Sequence, residues 1–266
     1  MIEINRPDRQ ARRRHGKNDN VDAIAAARAV MSGDATSIPK SAGGNVECIR
    51  LLRVARRSAM HARTQAVNQF HSIVDTAPDD LRAELAPLRG RARYEKAARF
   101  HTPTSMSPRA AAKIALCAIA RRWVALDAEM DALDQHLRVL VRETAPALIA
   151  RHGVGPDTAG ALLVAAGDNP ERLRSEASLA SLCGVSPIEA SSGRTNRHRL
   201  NRGGNREANS ALWRIVLVRM KTEDRTRDYV ERRTKEGLSK IEIMRCLKRY
   251  VAREIYRDLR NIVIPI

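Results

Sequence analysis

Apolar residues recur through the middle of the chain in alternating steps of four and three. Ala112, Leu116, Ile119, Trp123, Leu126, Met130, Leu133, Leu137 and Leu140 form one such series, four heptads long. Steps of this kind bring every member to one side of an α-helix, which predicts a long helix with a coiled-coil-type seam. An earlier series, Leu52, Ala55, Ala59, Ala62, Ala66 and Ile73, predicts a second, alanine-rich helix. Such seams suit packing of the two helices on each other or dimerisation, and the pattern leaves both open. HTPTSMSP at 101–108 predicts an irregular link between them.

On either side of this middle segment the pattern changes. MIEI at the start reads as one short strand, and DNVDAIAAARAVM as a helix with Asp19 near its N-terminus and Gly33 just past its end. One strand and one helix do not bury a core, so residues 1–45 read as part of something larger. After residue 145, HGVGPDTAGALLVAAGD places Gly153 and Gly155 around Val154, Pro156 at a first helical turn, and Ala159, Leu162, Leu163 and Ala166 at helical spacing. Glycines allow close backbone approach, and a helix N-terminus offers unpaired N–H groups, so a helix-hairpin-helix that binds phosphate is predicted here against a plain tight turn. Further helices are predicted near 205–221 and 239–259. Leu212, Ile215, Val216, Met244, Leu247, Val251 and Ile255 lie on their inner faces. Alternating strand patterns are nearly absent, and the fold class is mainly α.

Charge narrows the partner. The chain has 266 residues with 48 Lys and Arg against 30 Asp and Glu, a formal charge of +18 and a pI near 10.8. Such a balance points to a polyanion, most simply nucleic acid. Aromatic residues make up 3%, which argues for phosphate contacts rather than base stacking as the main interaction. Cys48, Cys117, Cys183 and Cys246 have neither zinc-ligand nor disulfide-framework spacing, and each reads as a small buried apolar residue. No signal peptide and no bilayer-length apolar run is present, so a soluble, cytoplasmic protein is expected.

The densest candidate chemistry lies in EASSGRTNRHRLNRGGNREANSALWR, 189–214. Two serines, Ser191 and Ser192, are followed by six arginines and a histidine against one acid, Glu207. Taken alone, a Ser-Ser-Gly loop is far more often a turn than a nucleophile. A serine hydroxyl needs its proton removed and the charge of a phosphorane stabilised, and neighbouring arginines can supply the second requirement.

NRPDRQARRRHGKNDNVDAIAAARAV, LRVARRSAMHARTQAVNQ, HGVGPDTAGALLVAAGD and LASLCGVSPIEASSGRTNRHRLNRGGNREANSALW resemble, in this order, the transposases of the insertion-sequence family called one-ten. The resemblance covers essentially the whole chain. It implies a site-specific DNA recombinase in three parts: the C-terminal remnant of an RNase H/resolvase-like α/β domain (1–45), a helical coiled-coil linker (46–145) and a helical transposase domain (146–266). It places Asp19 and Asp22 at the third and fourth of four carboxylates that bind Mg²⁺, and i, i+3 spacing on a helix puts both on one face. It places Ser192 at the nucleophile, one residue from Ser191, with Arg194, Arg197, Arg199, Arg202 and Arg206 to hold phosphate beside Gly153 and Gly155. The implied partners are DNA, a structured guide RNA and further copies of the chain in a dimer or tetramer.

The sequence departs from the family at its start. The first aspartate and the glutamate of the carboxylate set belong upstream of EINRPDR, and Glu3 and Asp8 do not occupy those positions. A two-metal phosphoryl-transfer site needs carboxylates from several elements, and two on one helix are half of one. The chain therefore reads as an N-terminally truncated copy of impaired activity. The alternative is a non-catalytic, basic nucleic-acid-binding remnant or regulator.

Overall fold

A computed structural model of the chain describes residues 2–4, 18–36, 38–40, 43–101, 105–191, 198–199 and 201–262. Among them the fold is mainly helical: α1 (Asp19–Met31), α2 (Asn45–Thr76), α3 (Asp79–Leu85), α4 (Gly90–Ala98), α5 (Pro108–Thr144), α6 (Pro146–Ile149), α7 (Pro156–Ala166), α8 (Glu176–Leu182), α9 (Arg206–Thr222), α10 (Asp224–Lys235) and α11 (Lys240–Arg260). Two short strands, β1 (Ile188–Glu189) and β2 (His198–Arg199), pair antiparallel between α8 and α9. No helix among the described residues is long and apolar enough to cross a membrane. The chain divides into two compact units, Cys48–Arg142 on one hand, Met1–Glu47 with Glu143–Ile266 on the other.

The 48–142 unit is built on α2 and α5, which run antiparallel. Arg56 Nε meets Asp134 Oδ1 at 2.5 Å, and Arg63, one heptad later, pairs with Asp127, one heptad earlier. Every member of the 112–140 seam is buried or half-buried. The earlier seam departs from expectation at Ala55, which is exposed, while Arg56 and Arg63 are half-buried beside it. Long arginine stems can lie along apolar surface while their heads find a carboxylate, so these positions read as surface but serve the seam. Toward α3 and α4, Phe70, Leu81, Leu85, Tyr94, Phe100, Leu116 and Trp123 close an aromatic core. Tyr94 and Trp123 stack with ring centres 4.2 Å apart.

The other unit is organised around α7, whose apolar body (Ala159–Leu163, Ala165, Ala166) is buried on all sides. All-round burial explains why its pattern is nearly continuous rather than amphipathic. Against it packs α9, with Leu212, Ile215 and Val216 buried, and α11, with Ile243, Leu247, Val251 and Ile255 buried, packs chiefly on α9 and α8. α11 begins with a reciprocal cap between Ser239 and Glu242. α10 was not foreseen from the sequence. Its residues DRTRDYVERRTK bury only Thr226. Residues 2–4, 38–40 and 43–46 are tied to the same unit. Arg172 pairs with Glu3 at 3.0 Å and donates to Ile38 O, Lys40 Nζ donates to Val164 O, and Val46 N donates to Asp168 Oδ1. α1 itself buries no residue, and Ile24, Val30 and Met31 stand exposed.

Candidate functional site

The basic loop is carried on a pinned stem. α8 ends at Cys183, Gly184 turns the chain with φ +66°, and the β1–β2 ladder pairs Ile188 with Arg199 and Glu189 with His198. Residues 190–197 thus join two antiparallel strands. Below the ladder, Gly204 lies directly on Gly184. A side chain at 204 would fall inside van der Waals range of the Gly184 nitrogen and Cα and 2.9 Å from the Cys183 carbonyl carbon. Only glycine fits this backbone-on-backbone contact.

Side chains lock the same point. Asn205 N donates to Leu182 O at 2.6 Å, and the Asn205 side chain caps α9 by accepting from the amides of Glu207 and Ala208. Asn209 Nδ2 donates to Cys183 O at 2.8 Å and to Gly184 O at 3.3 Å. Lys248 Nζ, buried on α11, donates to Asn209 Oδ1 at 2.9 Å. Burial, with Arg245 nearby, pushes the Lys248 ammonium below the usual lysine range. Asn209 and Lys248 were not singled out from the sequence. An asparagine and a lysine on separate helices carry no local signal of a shared role.

Ser192, Arg194 and Arg197 lie outside the described residues. Ser191 is exposed at the end of β1. Arg199, Arg202 and Arg206 are exposed and form no ion pair among the described residues. Arginines deeper in the unit differ: Arg214 pairs with Asp157, and Arg219 forks onto both Glu254 oxygens at 2.7 and 3.1 Å while donating to His152 O. The Arg219 guanidinium holds the Glu254 carboxyl below the usual carboxylate range. Arg151 similarly clasps Asp258 at 2.8 Å. These pairs build the fold, and the arginines around the stem remain open to an anion.

The GVG turn is divided in role. Gly153 has φ +78°, and a side chain there would meet Ile215 O at 3.2 Å, so this glycine has a packing reason on α9. Gly155 is the N-cap of α7 in extended conformation, with nothing near its Cβ position, and Thr158 Oγ1 accepts from its amide at 3.0 Å. The helix before the turn, α6, is four residues long.

Asp19 and Asp22 occupy the first turn of α1. Asn18 caps the helix by accepting from Asn20 N at 2.9 Å. Both carboxylates therefore share the helix start, as their spacing requires. Among the described residues no group of three His, Cys, Asp or Glu stands close enough to hold a metal. The pair alone does not make a Mg²⁺ site. Cys48 is exposed, contrary to the expectation of burial, while Cys117 and Cys183 are buried. Burial pushes the Cys183 thiol up to about 12, which leaves it inert.

Residues 145–231 match the family described as Transposase IS116/IS110/IS902. This stretch holds the GVG turn, the pinned stem, the basic loop and α9. A protein of Streptomyces coelicolor, described as an insertion element IS110 uncharacterized 43.6 kDa protein, is 30% identical over 148 residues. That match covers 55% of this chain and 35% of the relative. The chain thus spans well under two thirds of the relative's length.

Proposed function

We propose, from the match of residues 145–231 to the IS116/IS110/IS902 transposase family, that the chain acts on DNA as an insertion-sequence transposase with a serine nucleophile. One observation carries the proposal: the arginine-bearing loop is mounted on a stem that only Gly204 and Gly184 in contact permit. A loop that merely adhered to nucleic acid would not need so rigid a base. Catalytic groups do, because small displacements cost large factors in rate.

In this reading Ser192 Oγ attacks a backbone phosphorus. An O–P bond to serine forms, the bond to a deoxyribose oxygen breaks, and that oxygen leaves with a proton. Attack by a second deoxyribose hydroxyl reverses the exchange and frees the serine, so no external energy source is required. Arg194, Arg197, Arg199, Arg202 and Arg206 hold the phosphate and offset charge on the phosphorane. Gly155, at the start of α7, offers a further phosphate contact. Asp19 and Asp22 are proposed as two ligands of a Mg²⁺ site completed by carboxylates from elsewhere, including another subunit of a dimer or tetramer. A structured guide RNA is the proposed second polyanion.

A chain that binds nucleic acid without chemistry is the rival, favoured by the lack, among the described residues, of a third His, Cys, Asp or Glu beside Asp19 and Asp22 that could hold a metal. Substitution separates them. In the protein, Ser192→Ala should abolish strand cleavage and leave binding intact, because the hydroxyl contributes chemistry and not charge. Unchanged cleavage by Ser192→Ala contradicts the assignment, and loss with Ser191→Ala instead moves it to the neighbour.

A further inference from the structure

A second basic feature lies at the far end of α9 from the loop. Arg206 and Arg219 sit at opposite ends of that helix, roughly 20 Å apart along its axis at 1.5 Å per residue. There, α9, α10 and α11 enclose an open cleft of about 1100 Å³ lined by Arg219, Arg225, Tyr229, Arg232, Tyr250 and Arg253, among others. Its floor is electrically settled: Arg219 and Arg151 are engaged by Glu254 and Asp258, and Glu223 bonds to Thr226. Its walls are not.

Arg225, Tyr229 and Arg232 fall at i, i+4 and i+7 on α10, a spacing that gathers them on one face. Arg225 makes no ion pair among the described residues, and Arg232 reaches Glu236 only at 3.9 Å. The Arg232 guanidinium lies 5.4 Å from the centre of the Tyr229 ring. From α11, Tyr250, 51% exposed as a residue, meets Tyr229 edge to face at 5.7 Å. Two of the chain's four tyrosines thus stand together between cations in one cleft.

We propose that this cleft binds an unpaired stretch of nucleic acid, with Arg225 and Arg232 on successive phosphates and a base stacked on Tyr250. The proposal rests on the nucleic-acid reading above and adds a site and a strand state to it. An exposed aromatic ring between cations matches a backbone whose bases are free to splay outward. A duplex keeps its bases stacked inside and would leave Tyr250 unused. Asp228 on the rim is the one wall carboxylate without a partner among the described residues, and it sets a modest counter-charge. Unpaired DNA and unpaired RNA offer the same chemistry here.

The test uses the full chain with labelled oligothymidine, oligouridine and a blunt duplex of about 20 nucleotides, longer than the roughly 4–16 that such sites cover. Arg225→Gln with Arg232→Gln should weaken single-strand binding about tenfold or more. It should also flatten the salt dependence, by about 0.7 in log–log slope per lost phosphate contact. Tyr250→Ala should cost about tenfold on single strands with the salt slope unchanged, and Tyr250→Phe should bind as the parent does. Lys235→Ala, which removes a cation paired with Glu231 on the same helix but outside the cleft, is the control. Stronger binding of one tract identifies the strand as DNA or RNA. Tyr250→Ala without effect, or with equal effect on duplex, overturns the proposal. If the parent chain binds no probe, the transposase reading falls as well; if it binds duplex normally while the cleft variants are silent on single strands, only the cleft is lost.

Discussion

Replacing Gly204 with alanine places a methyl group against the backbone of Gly184, far inside the ~3.4 Å of ordinary contact, and 2.9 Å from the Cys183 carbonyl carbon. Backbone cannot rotate aside as a side chain can, so the two segments must separate. Separation stretches the Asn205 N to Leu182 O bond of 2.6 Å and the Asn209 Nδ2 to Gly184 O contact of 3.3 Å. Overpacking costs about 1–3 kcal/mol and each of the two weakened hydrogen bonds about 0.5–1.5, so Gly204→Ala should destabilise by about 2–6 kcal/mol. Urea unfolding should show a lower midpoint with an unchanged slope. Gly43→Ala, with nothing within 4 Å of the added carbon, is the comparison and should stay within about 0.5 kcal/mol. Because the stem carries the basic loop, nucleic-acid binding should weaken under conditions where Gly204→Ala remains folded. A midpoint shift below about 0.5 kcal/mol, with binding unaltered, would refute the stem's role.

Three further outcomes follow from the ion pairs and the charge. Arg56→Asp or Asp134→Arg alone should destabilise the 48–142 unit, and the two together should recover part of the loss. A double-mutant cycle with no coupling would show that the pair does not set the helix register. Glu254 is held below its unfolded range by Arg219, so its contribution is present above the unfolded carboxylate value of about 4.3 and is lost as pH falls through the lower folded value. Glu254→Gln should therefore flatten the acid limb of a stability–pH curve, and an unchanged limb argues against the pairing. DNA affinity should fall by orders of magnitude from low to moderate salt, and a flat response contradicts phosphate-dominated binding by a chain of charge +18.

How far the molecule was legible in the sequence depended on whether the signal was local. The 112–140 seam emerged in full because period alone determines which side of α5 is covered. The α2 seam was half readable: Ala59 and Ala66 are buried as the pattern requires, but Arg56 and Arg63 share the seam because their carboxylate partners lie on another helix. α10 was missed because a helix that buries only Thr226 has almost no apolar period to detect. Within the candidate site, the first-turn location of Asp19 and Asp22 followed from the helix pattern. The reason for Gly204 did not, since its neighbour Gly184 is distant in sequence and meets it only after α8 and α9 have packed. Asn209 and Lys248 were silent for the same reason.

The central claim is that Ser192 becomes bonded to DNA. The direct measurement is to trap the protein on a nicked substrate, digest the adduct and locate the modified residue by mass spectrometry. The protein should yield a nucleotide ester on the peptide containing Ser192, absent from Ser192→Ala. An ester on another residue, or strand exchange completed with no protein–DNA bond at any stage, would contradict the account.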